Sequence, residues 1–375
     1  MKKLIHTIFL VTGTSIGSGL ISLPMSAVNL GLLPFLCMVL VTILIVYQSC
    51  RMTAQLIATH KMPVSIVELS RQYGGKFLFA VTLSSFYLLS FGVLTVYFSC
   101  MADTVGTFCG LSKTVSIVLC GFCLWALLNL RTRLFSDLNS VFVITLLGVV
   151  AVAIFSIKKI PESTSAEMHF RAIEWIHMVP IIFTAFGVQG SCAYFCSYLN
   201  NDLKRLKTAF LIGLAIPAVI YFLWTLCCLK TAMAYDTEFF RRLQEHQVSV
   251  GELIRFLCES SSVPAMRTFL KLLTILGVLT SIIGVALGLM QPLRSVLPKI
   301  LTKPTLCFVP VIINLTLAEA FLKVLSFGGM MLAIFAILVP YQLLKPMGVQ
   351  KTFAYRLCFI GGITVVACEL WSVFG

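Results

Sequence analysis

Two glycine-rich stretches inside apolar segments hold the residues whose types and spacing suit ligand binding. The first, residues 13–19, reads Gly-Thr-Ser-Ile-Gly-Ser-Gly in the middle of an apolar run over residues 4–27. Glycines and hydroxyl residues make a poor helix interior, and a break at membrane depth is tolerated only where the freed backbone faces protein, water or a ligand. Broken helices of this kind hold substrates and ions in secondary transporters. The alternative is a close-packing face of small residues, because Ser15 and Gly19 lie four residues apart.

The second stretch, residues 179–191, also places glycines and small polar residues at mid-run, beside Pro180. It lies in the sixth apolar run, so the two interruptions occupy matching places in two halves of five runs each. Halves with an odd number of spans insert in opposite orientations, and paired interruptions point to a site at the interface of an inverted repeat. The pattern predicts one repeat in residues 1–157, a second, inverted repeat in residues 176–344, and an additional helix in residues 345–375.

Composition places both stretches in an integral membrane protein. Of the 375 residues, 59% are hydrophobic and 11% are charged, whereas charged residues make up about 25% of a soluble domain. Eleven apolar runs separated by charges predict an all-α fold with about eleven transmembrane helices in a lipid bilayer. The runs cover residues 4–27, 32–57, 77–105, 114–130, 138–157, 176–199, 209–229, 269–292, 306–318, 325–344 and 354–374.

Basic residues are distributed unequally between the two faces that these runs define. The face holding the N-terminus carries 17 of the 28 Lys and Arg but three of the 14 acidic residues. Because basic loops stay in the cytoplasm, the N-terminus is predicted inside and the C-terminus outside. The net charge of +14 therefore reflects topology and not nucleic-acid binding. Lys2-Lys3 and Met25-Ser26-Ala27 imitate a cleavable signal, but ten further runs favour a retained first helix.

Cysteines and the longest connection carry less chemical information. Most of the 14 cysteines lie inside apolar runs, where a thiol behaves as a small hydrophobe. Cys120 and Cys123 match the C-x-x-C spacing of redox and metal sites, but no second ligand pair accompanies them, so we assign them to packing and expect no metal and no cofactor.

The outer connection over residues 230–268 contains an amphipathic pattern at residues 250–257, which predicts a helix that either acts as a lid or rests on the surface.

Three sequence blocks follow one another along the chain: residues 13–19 with Leu23-Pro24, residues 180–187 with Ser197-Tyr198, and residues 284–289. They resemble the first, sixth and eighth helices of bacterial tyrosine and tryptophan permeases, and the resemblance extends over nearly the whole chain. It implies the leucine-transporter-like fold of the amino acid–polyamine–cation superfamily. It also implies symport of an aromatic amino acid driven by protons, with a sodium-coupled neutral amino acid symporter as the alternative.

An amino acid is a zwitterion, and each charged end needs a partner in a low-dielectric site. A carboxylate suits the amides and the positive dipole end of a half-helix. Under the resemblance, these groups come from the first interruption, at Thr14, Ser15, Gly17, Ser18 and Gly19.

The sixth helix and its neighbours are expected to hold the rest of the substrate. The ammonium suits freed carbonyls from Phe183 to Phe186 and the hydroxyl of Ser281. The aromatic ring suits an apolar slot, which we assign to Phe186, Tyr87 and Phe91. For Tyr87 and Phe91, ordinary packing is the alternative.

One position departs from the family pattern. The family usually has a histidine two residues after the glycine of the sixth-helix motif, which is Gly187 here, and this chain has Gln189. Glutamine forms hydrogen bonds but does not change charge near neutral pH as histidine does. We expect Gly187 and Gln189 to contact the substrate, and the missing histidine puts the family's proton coupling and substrate choice in question.

Thr280 and Ser281 are adjacent hydroxyl residues on the eighth helix. The resemblance places the cation site of the fold there, completed by carbonyls near Thr14 and Gly17. Ligation by oxygens alone suits a hard monovalent cation. The alternative is two hydroxyls bonded to carbonyls of their own helix.

Apart from Asp103, which lies two residues from the end of the third run, Glu369 is the only acidic residue inside a predicted spanning run. A charged residue within a membrane costs about 3 kcal/mol on insertion scales, so such residues usually have a function. Because Glu369 falls near the outer end of the additional helix, we interpret it as a helix-end group remote from both repeats. His177 likewise marks the outer edge of the sixth helix.

Other classes of protein fit the sequence less well. A membrane enzyme needs a catalytic constellation at membrane depth, and the sequence has no H-E-x-x-H motif and no clustered acids. A sensor with this fold normally needs a signalling domain, and a channel lacks paired interruptions. A primary pump is disfavoured because no G-x-x-x-x-G-K nucleotide motif occurs.

The charge asymmetry yields a topology prediction. On a background without native cysteines, single cysteines at Arg131, Lys204 and Lys299 should react with a membrane-impermeant thiol reagent only from the cytoplasmic face. Cysteines at Lys158, Arg241 and Lys323 should react only from the periplasmic face. Labelling of position 204 from outside would reject the orientation.

Overall fold

The computed structural model describes residues 2–60, 64–129, 140–148, 150–152, 172–248, 250–260, 264–316 and 321–374, which form helices joined by turns and short connections. The helices are α1 (Lys2–Ala27), α2 (Leu32–Ala58), α3 (Ile66–Tyr73), α4 (Gly75–Cys109), α5 (Lys113–Leu128), α6 (Ser140–Val152), α7 (Ala172–Ala185), α8 (Cys192–Tyr198), α9 (Leu203–Tyr235), α10 (Thr237–Gln244), α11 (Val250–Glu259), α12 (Pro264–Val296), α13 (Lys299–Thr316), α14 (Phe321–Ala333), α15 (Val339–Leu344) and α16 (Phe353–Phe374).

Each of the eleven predicted apolar runs contains helix in this structure. Eight stretches are long and apolar enough to cross a membrane, α1 adds a bent span, and α5 and α6 are shorter apolar helices. The sixth span combines α7 with α8, and the tenth combines α14 with α15. The prediction of an all-α membrane fold is confirmed.

The first interruption is present as a bend and not as an unwound segment. The two halves of α1, Lys2–Gly17 and Gly19–Ala27, meet at 44°, while the helical backbone continues from Lys2 to Ala27. A Cβ at Gly17 would lie 2.0 Å from Ser281 Oγ on α12. The small residues of α1 therefore form both a bend and a close-packing face, because α12 packs directly on the helix at this point.

The second interruption is a true break. Helix α7 ends at Ala185, a short 3₁₀ turn covers Gln189–Ser191, and α8 begins at Cys192. The amide of Gly187 donates to the carbonyl of Thr184 at 2.8 Å, whereas an uninterrupted helix would direct it to residue 183. The predicted break of the sixth span is confirmed.

Glycines on α12 bring its backbone against both interrupted spans. A Cβ at Gly284 would lie 2.0 Å from Thr14 Oγ1 on α1, and a Cβ at Gly288 would lie 2.7 Å from the carbonyl oxygen of Gly190 in the 3₁₀ turn. In addition, Ser191 Oγ donates to the carbonyl of Gly284 at 2.7 Å. Backbones approach this closely only where side chains are absent or small.

The outermost helices present apolar side chains to the bilayer. At most 33% of the spanning window is buried in α2, α13 and α16, whereas the sixth span and α12 are mostly buried. Exposed apolar side chains in a membrane face lipid, which is as apolar as they are. On α16 they are Phe353, Leu357, Ile360, Ile363, Leu370, Trp371, Val373 and Phe374.

The long outer connection folds into a helical hairpin of α10 and α11. The amphipathic helix predicted at residues 250–257 is confirmed as α11, whose Leu253 and Leu257 are buried. Phe239 of α10 stacks on Phe256 of α11 with ring centroids 4.0 Å apart.

Polar contacts attach this hairpin to the C-terminal end of the first span and the N-terminal end of the sixth span. The side-chain amide of Asn29, between α1 and α2, donates to the carbonyl of Gln244 at 2.9 Å and to Glu174 of α7 at 3.4 Å. The Nε2 of His246 lies 3.3 Å from the other carboxylate oxygen of Glu174. The hairpin therefore contacts both interrupted spans at these ends.

Substitution of the α12 glycines tests the close packing. Gly284→Ala should destabilise the protein by about 1–3 kcal/mol, because the added methyl group overlaps Thr14. Gly148→Ala on α6 is the matched control: its Cβ would meet nothing within 4 Å, so it should be neutral or stabilise by about 0.4–1 kcal/mol. Thermal unfolding in detergent measures both, and equal melting temperatures would contradict the close contact.

Candidate substrate site

A narrow cavity lies where α4, the break in the sixth span, α12 and α14 meet. The break contributes Thr184 and Gly187 to its wall, α12 contributes Gly288, and α4 contributes the aromatic rings of Phe86 and Tyr97. Helix α14 closes one side with Leu332. The cavity thus combines backbone polar groups at a helix break with aromatic and aliphatic walls, as small-molecule sites do.

Thr184 holds the broken end of α7 in place. Its hydroxyl lies 2.9 Å from the carbonyl of Pro180 on its own helix and 2.8 Å from the carbonyl of Leu325 on α14. Because the Gly187 amide turns back to the Thr184 carbonyl, the carbonyl of Phe183 loses its helical partner. This carbonyl becomes an acceptor for a donor outside the helix.

Tyr221 on α9 connects the two interrupted spans and was not identified from the sequence. Its ring is fully buried, and its hydroxyl contacts the carbonyl of Ser15 on α1 and the carbonyl of Ala185 on α7, the latter at 3.0 Å. The ring packs edge-to-face on Phe186 at a centroid distance of 5.1 Å. One hydroxyl hydrogen is shared between two carbonyls, so movement of either span alters the bond to the other.

A Cβ at Gly19 would lie 2.2 Å from the ring of Tyr221, which explains why glycine follows the bend of α1. A tyrosine in the middle of an apolar run gives no sequence signal, because only folding brings α9 between the first and sixth spans.

The predicted cation residues are hydrogen-bonded directly across the α1–α12 interface. Thr280 Oγ1 lies 3.1 Å from the carbonyl of Gly13, and Ser281 Oγ lies 3.0 Å from the same carbonyl and 3.1 Å from that of Thr14. Thr280 also contacts the carbonyl of Gly277 on its own helix at 3.0 Å. The alternative of a hydrogen bond within the same helix therefore holds for Thr280. In addition, both hydroxyls bond carbonyls of α1, where the cation site is predicted.

The structure distributes the predicted substrate residues over several environments. Gly187 lines the cavity. The first-span residues Thr14, Ser15 and Gly17 lie buried in helix contacts, and the side chain of Ser18 is outside the described part of the structure.

The aromatic residues predicted to contact the substrate also lie in different environments. Phe183 and Phe186 are fully buried. Tyr87 and Phe91 are half-buried and stack on each other at 6.2 Å, and the hydroxyl of Tyr87 lies 3.4 Å from the carbonyl of Pro292 near the end of α12. The cavity wall on α4 is formed instead by neighbours such as Phe86.

Gln189 is buried without a hydrogen-bond partner. It is 2% exposed, and among the described residues neither atom of its amide group has a partner. Leaving a buried amide unsatisfied costs about 1–3 kcal/mol. Ser15 Oγ is buried and unpartnered in the same sense.

The interpretation of Glu369 as a remote helix-end group is wrong. Glu369 is 4% exposed and accepts a hydrogen bond from Ser326 on α14, the tenth span. The packing of α16 against α7 and α14 buries this side of the helix. On the neighbouring turn of α16, Ser372 Oγ lies 2.9 Å from Nδ1 of His177.

A broken sixth span beside a cavity, together with a bent first span that packs against the same helix α12, is the arrangement of a multi-pass secondary transporter of the leucine-transporter-like class. The chain belongs to the tryptophan/tyrosine permease family, which it matches over residues 1–370. It is therefore a transport protein of an aromatic amino acid permease family and not an enzyme.

Curated relatives are similar to this chain over nearly all or part of its length. Tyrosine-specific transport system 1 of Haemophilus influenzae is 24% identical over 98% of this chain and 94% of its own length. Glutamine transporter 2 of Aliivibrio fischeri is 21% identical over 93% of this chain and 90% of its own length. A tryptophan-specific transport protein of Pseudomonas aeruginosa is 26% identical over 45% of this chain and 42% of its own length.

Solved structures share the fold at low sequence identity. A manganese transporter of Eremococcus coleocola superposes with a TM-score of 0.66 at 12% identity, covering 99% of this chain and 86% of that one. This likeness supports the transporter architecture and carries no information about the substrate.

Substitution at the break tests the site. In Gly187→Val, the Cβ would lie 2.8 Å from the Thr184 carbonyl and 3.1 Å from Leu332, so the branched side chain should close the cavity and abolish substrate binding while the protein remains inserted and extractable. Gly92→Ala on α4 is the control, because its Cβ would meet Val324 at an ordinary 3.7 Å. Substrate-induced thermal shift measures binding, and an unchanged shift in Gly187→Val would remove the break from the site.

Proposed function

We propose that this protein imports tyrosine or tryptophan across the bacterial inner membrane by symport with protons. The observation that carries the proposal is the break between Thr184 and Gly187, which opens onto a cavity walled by Phe86 and Tyr97. A zwitterion with an aromatic side chain matches such a site, since it needs polar backbone groups at one end and an apolar slot at the other. Family membership supports the same substrate class.

The charged groups of the substrate would be held by backbone. The ammonium is assigned to the freed carbonyl of Phe183 and its neighbours up to Phe186. We assign the carboxylate to the bend of α1, because the positive dipole end of the half-helix that begins at Gly19 lies there. The unpartnered Gln189 amide would gain a hydrogen-bond partner in the bound state.

One observation favours protons over sodium. The oxygens proposed to ligate a cation are already joined by hydrogen bonds from Thr280 and Ser281 to the carbonyls of Gly13 and Thr14. These bonds connect the first and eighth spans as a bound cation would, so a sodium ion would have to break them first. Sodium coupling through the same residues remains the alternative.

The proposed transport motion uses the two repeats, residues 1–157 and 176–344. The repeats would rock against each other around the two interruptions, with residues 345–375 as an added helix. With the N-terminus in the cytoplasm, the α10–α11 hairpin lies on the periplasmic side and covers the entry face.

Uptake into liposomes tests the substrate and the ion. Labelled tyrosine and tryptophan should accumulate under an imposed pH gradient in sodium-free buffer, and an imposed sodium gradient alone should drive no accumulation. Glutamine and phenylalanine serve as competitors, because one relative is named a glutamine transporter. Accumulation that requires sodium would overturn the proton assignment, and preferential uptake of glutamine would overturn the aromatic one.

A double variant separates the two ions at the residue level. In Thr280→Ala with Ser281→Ala, proton-driven uptake should persist with reduced stability, because the variant removes α1–α12 hydrogen bonds worth about 0.5–1.5 kcal/mol each. Thr364→Ala is the matched control, since its hydroxyl bonds only Ile360 of its own helix. If sodium stimulates binding to the native protein and the double variant loses that stimulation, sodium coupling is established instead.

A further inference from the structure

Glu369 is a buried carboxyl group that has no part in the proposed substrate contacts. It lies on α16 with 4% exposure, and Ser326 Oγ on α14 donates a hydrogen bond to it. Within the described residues, no Lys, Arg or His forms an ion pair with it. The carboxylate form accepts this hydrogen bond, and the protonated form can also donate one to Ser326 Oγ.

The titratable groups on α7 are engaged elsewhere. His177 Nδ1 lies 2.9 Å from Ser372 Oγ, one turn along α16 from Glu369. Glu174 contacts Asn29 and His246 at the outer surface.

The other helices packed against α16 bring no basic partner. Lys323 on α14 is exposed. On α2 the only charged residue is Arg51, near its cytoplasmic end, where it bonds Gln48. On α16 itself Arg356 lies at the opposite end from Glu369. The remaining titratable side chains of α2 and α16 are Cys37, Tyr47, Cys50, Tyr355, Cys358 and Cys368.

A short chain of contacts connects this carboxyl group to the substrate cavity. Ser326 follows Leu325, whose carbonyl accepts a hydrogen bond from Thr184 at 2.8 Å. One turn further along α14, a Cβ at Gly329 would lie 2.2 Å from the Pro180 carbonyl oxygen. Helix α14 therefore packs on the broken end of α7 directly beside the Ser326–Glu369 hydrogen bond.

We propose that Glu369 binds the symported proton on the external side and that its protonation positions α14 against the break of the sixth span. This inference rests on the proposed proton symport and names the residue that carries it. His177, which bonds Ser372 one turn along α16 from Glu369, lies one turn of α7 from Glu174. The partner of Glu174, His246, is exposed, so water at the periplasmic face lies within a short distance of this region.

The chemical step is a reversible proton transfer. External water supplies a proton, an O–H bond forms on a carboxylate oxygen of Glu369, and the charge of the side chain is lost. The hydrogen bond with Ser326 can then reverse, with the carboxyl donating to Ser326 Oγ. When α14 separates from α7 in the inward-facing state, water continuous with the cytoplasm reaches the carboxyl group, the same O–H bond breaks, and this water accepts the proton.

Accumulation driven by a pH gradient and counterflow exchange without a gradient test this inference separately from the proposed function. With the membrane potential clamped, one-for-one coupling to a gradient of one pH unit sustains about a tenfold accumulation of substrate. Glu369→Gln should lose this accumulation while counterflow exchange of tyrosine or tryptophan without a gradient continues. Glu369→Asp should restore pH-driven accumulation. In purified protein, substrate binding should take up a proton from unbuffered solution in the native protein and none in Glu369→Gln.

Glu259→Gln, at an exposed acid on α11, is the matched control and should behave as the native protein. Native-like pH-driven accumulation in Glu369→Gln would overturn the inference. Loss of pH-driven accumulation in His177→Gln, with Glu369 intact, would also overturn it. If the native protein fails to accumulate aromatic amino acids, the proposed function fails instead. If Glu369→Gln is lost on extraction, Ser326→Ala decides: a shifted pH profile of binding supports the proton site, and an unchanged profile rejects it.

Discussion

The close contact of α12 with the two interrupted spans is the constraint on which the rest of the architecture depends. Gly284 admits Thr14 of α1, and Gly288 admits the carbonyl of Gly190. Lipid provides no hydrophobic drive for helices to associate, so close van der Waals packing and interhelical hydrogen bonds must hold them together. A side chain at either glycine would push the first or sixth span outward and separate the two interruptions.

The same close approach allows hydroxyl groups to reach backbone carbonyls on neighbouring helices. Ser281 contacts α1, Ser191 contacts α12, and Thr184 contacts α14. Tyr221 contacts the carbonyls of both interrupted spans. Bonds between neutral groups can be exchanged one at a time, which suits a protein that must alternate between two packings without leaving a charge unpaired in the membrane.

Much of the fold is readable from local sequence because each spanning helix satisfies its own backbone. The eleven apolar runs predict the helices, and the glycines around Gly187 predict the break. The amphipathic pattern near Leu253 predicts α11. The blocks at residues 13–19 and 284–289 also point to the family. Glycine positions carry this information because their effect on the helix is local.

Only the tertiary structure decides which groups meet. Local sequence does not distinguish a bend at Gly17 from an unwound segment, because the outcome depends on how α12 packs there. It also does not show that Tyr221 reaches both interruptions or that Glu369 is covered by Ser326, since these partners are 43 or more residues apart in the chain. Helix periodicity predicts the local helical structure, whereas the burial and partners of a polar side chain depend on helices that are distant in sequence and adjacent only after folding.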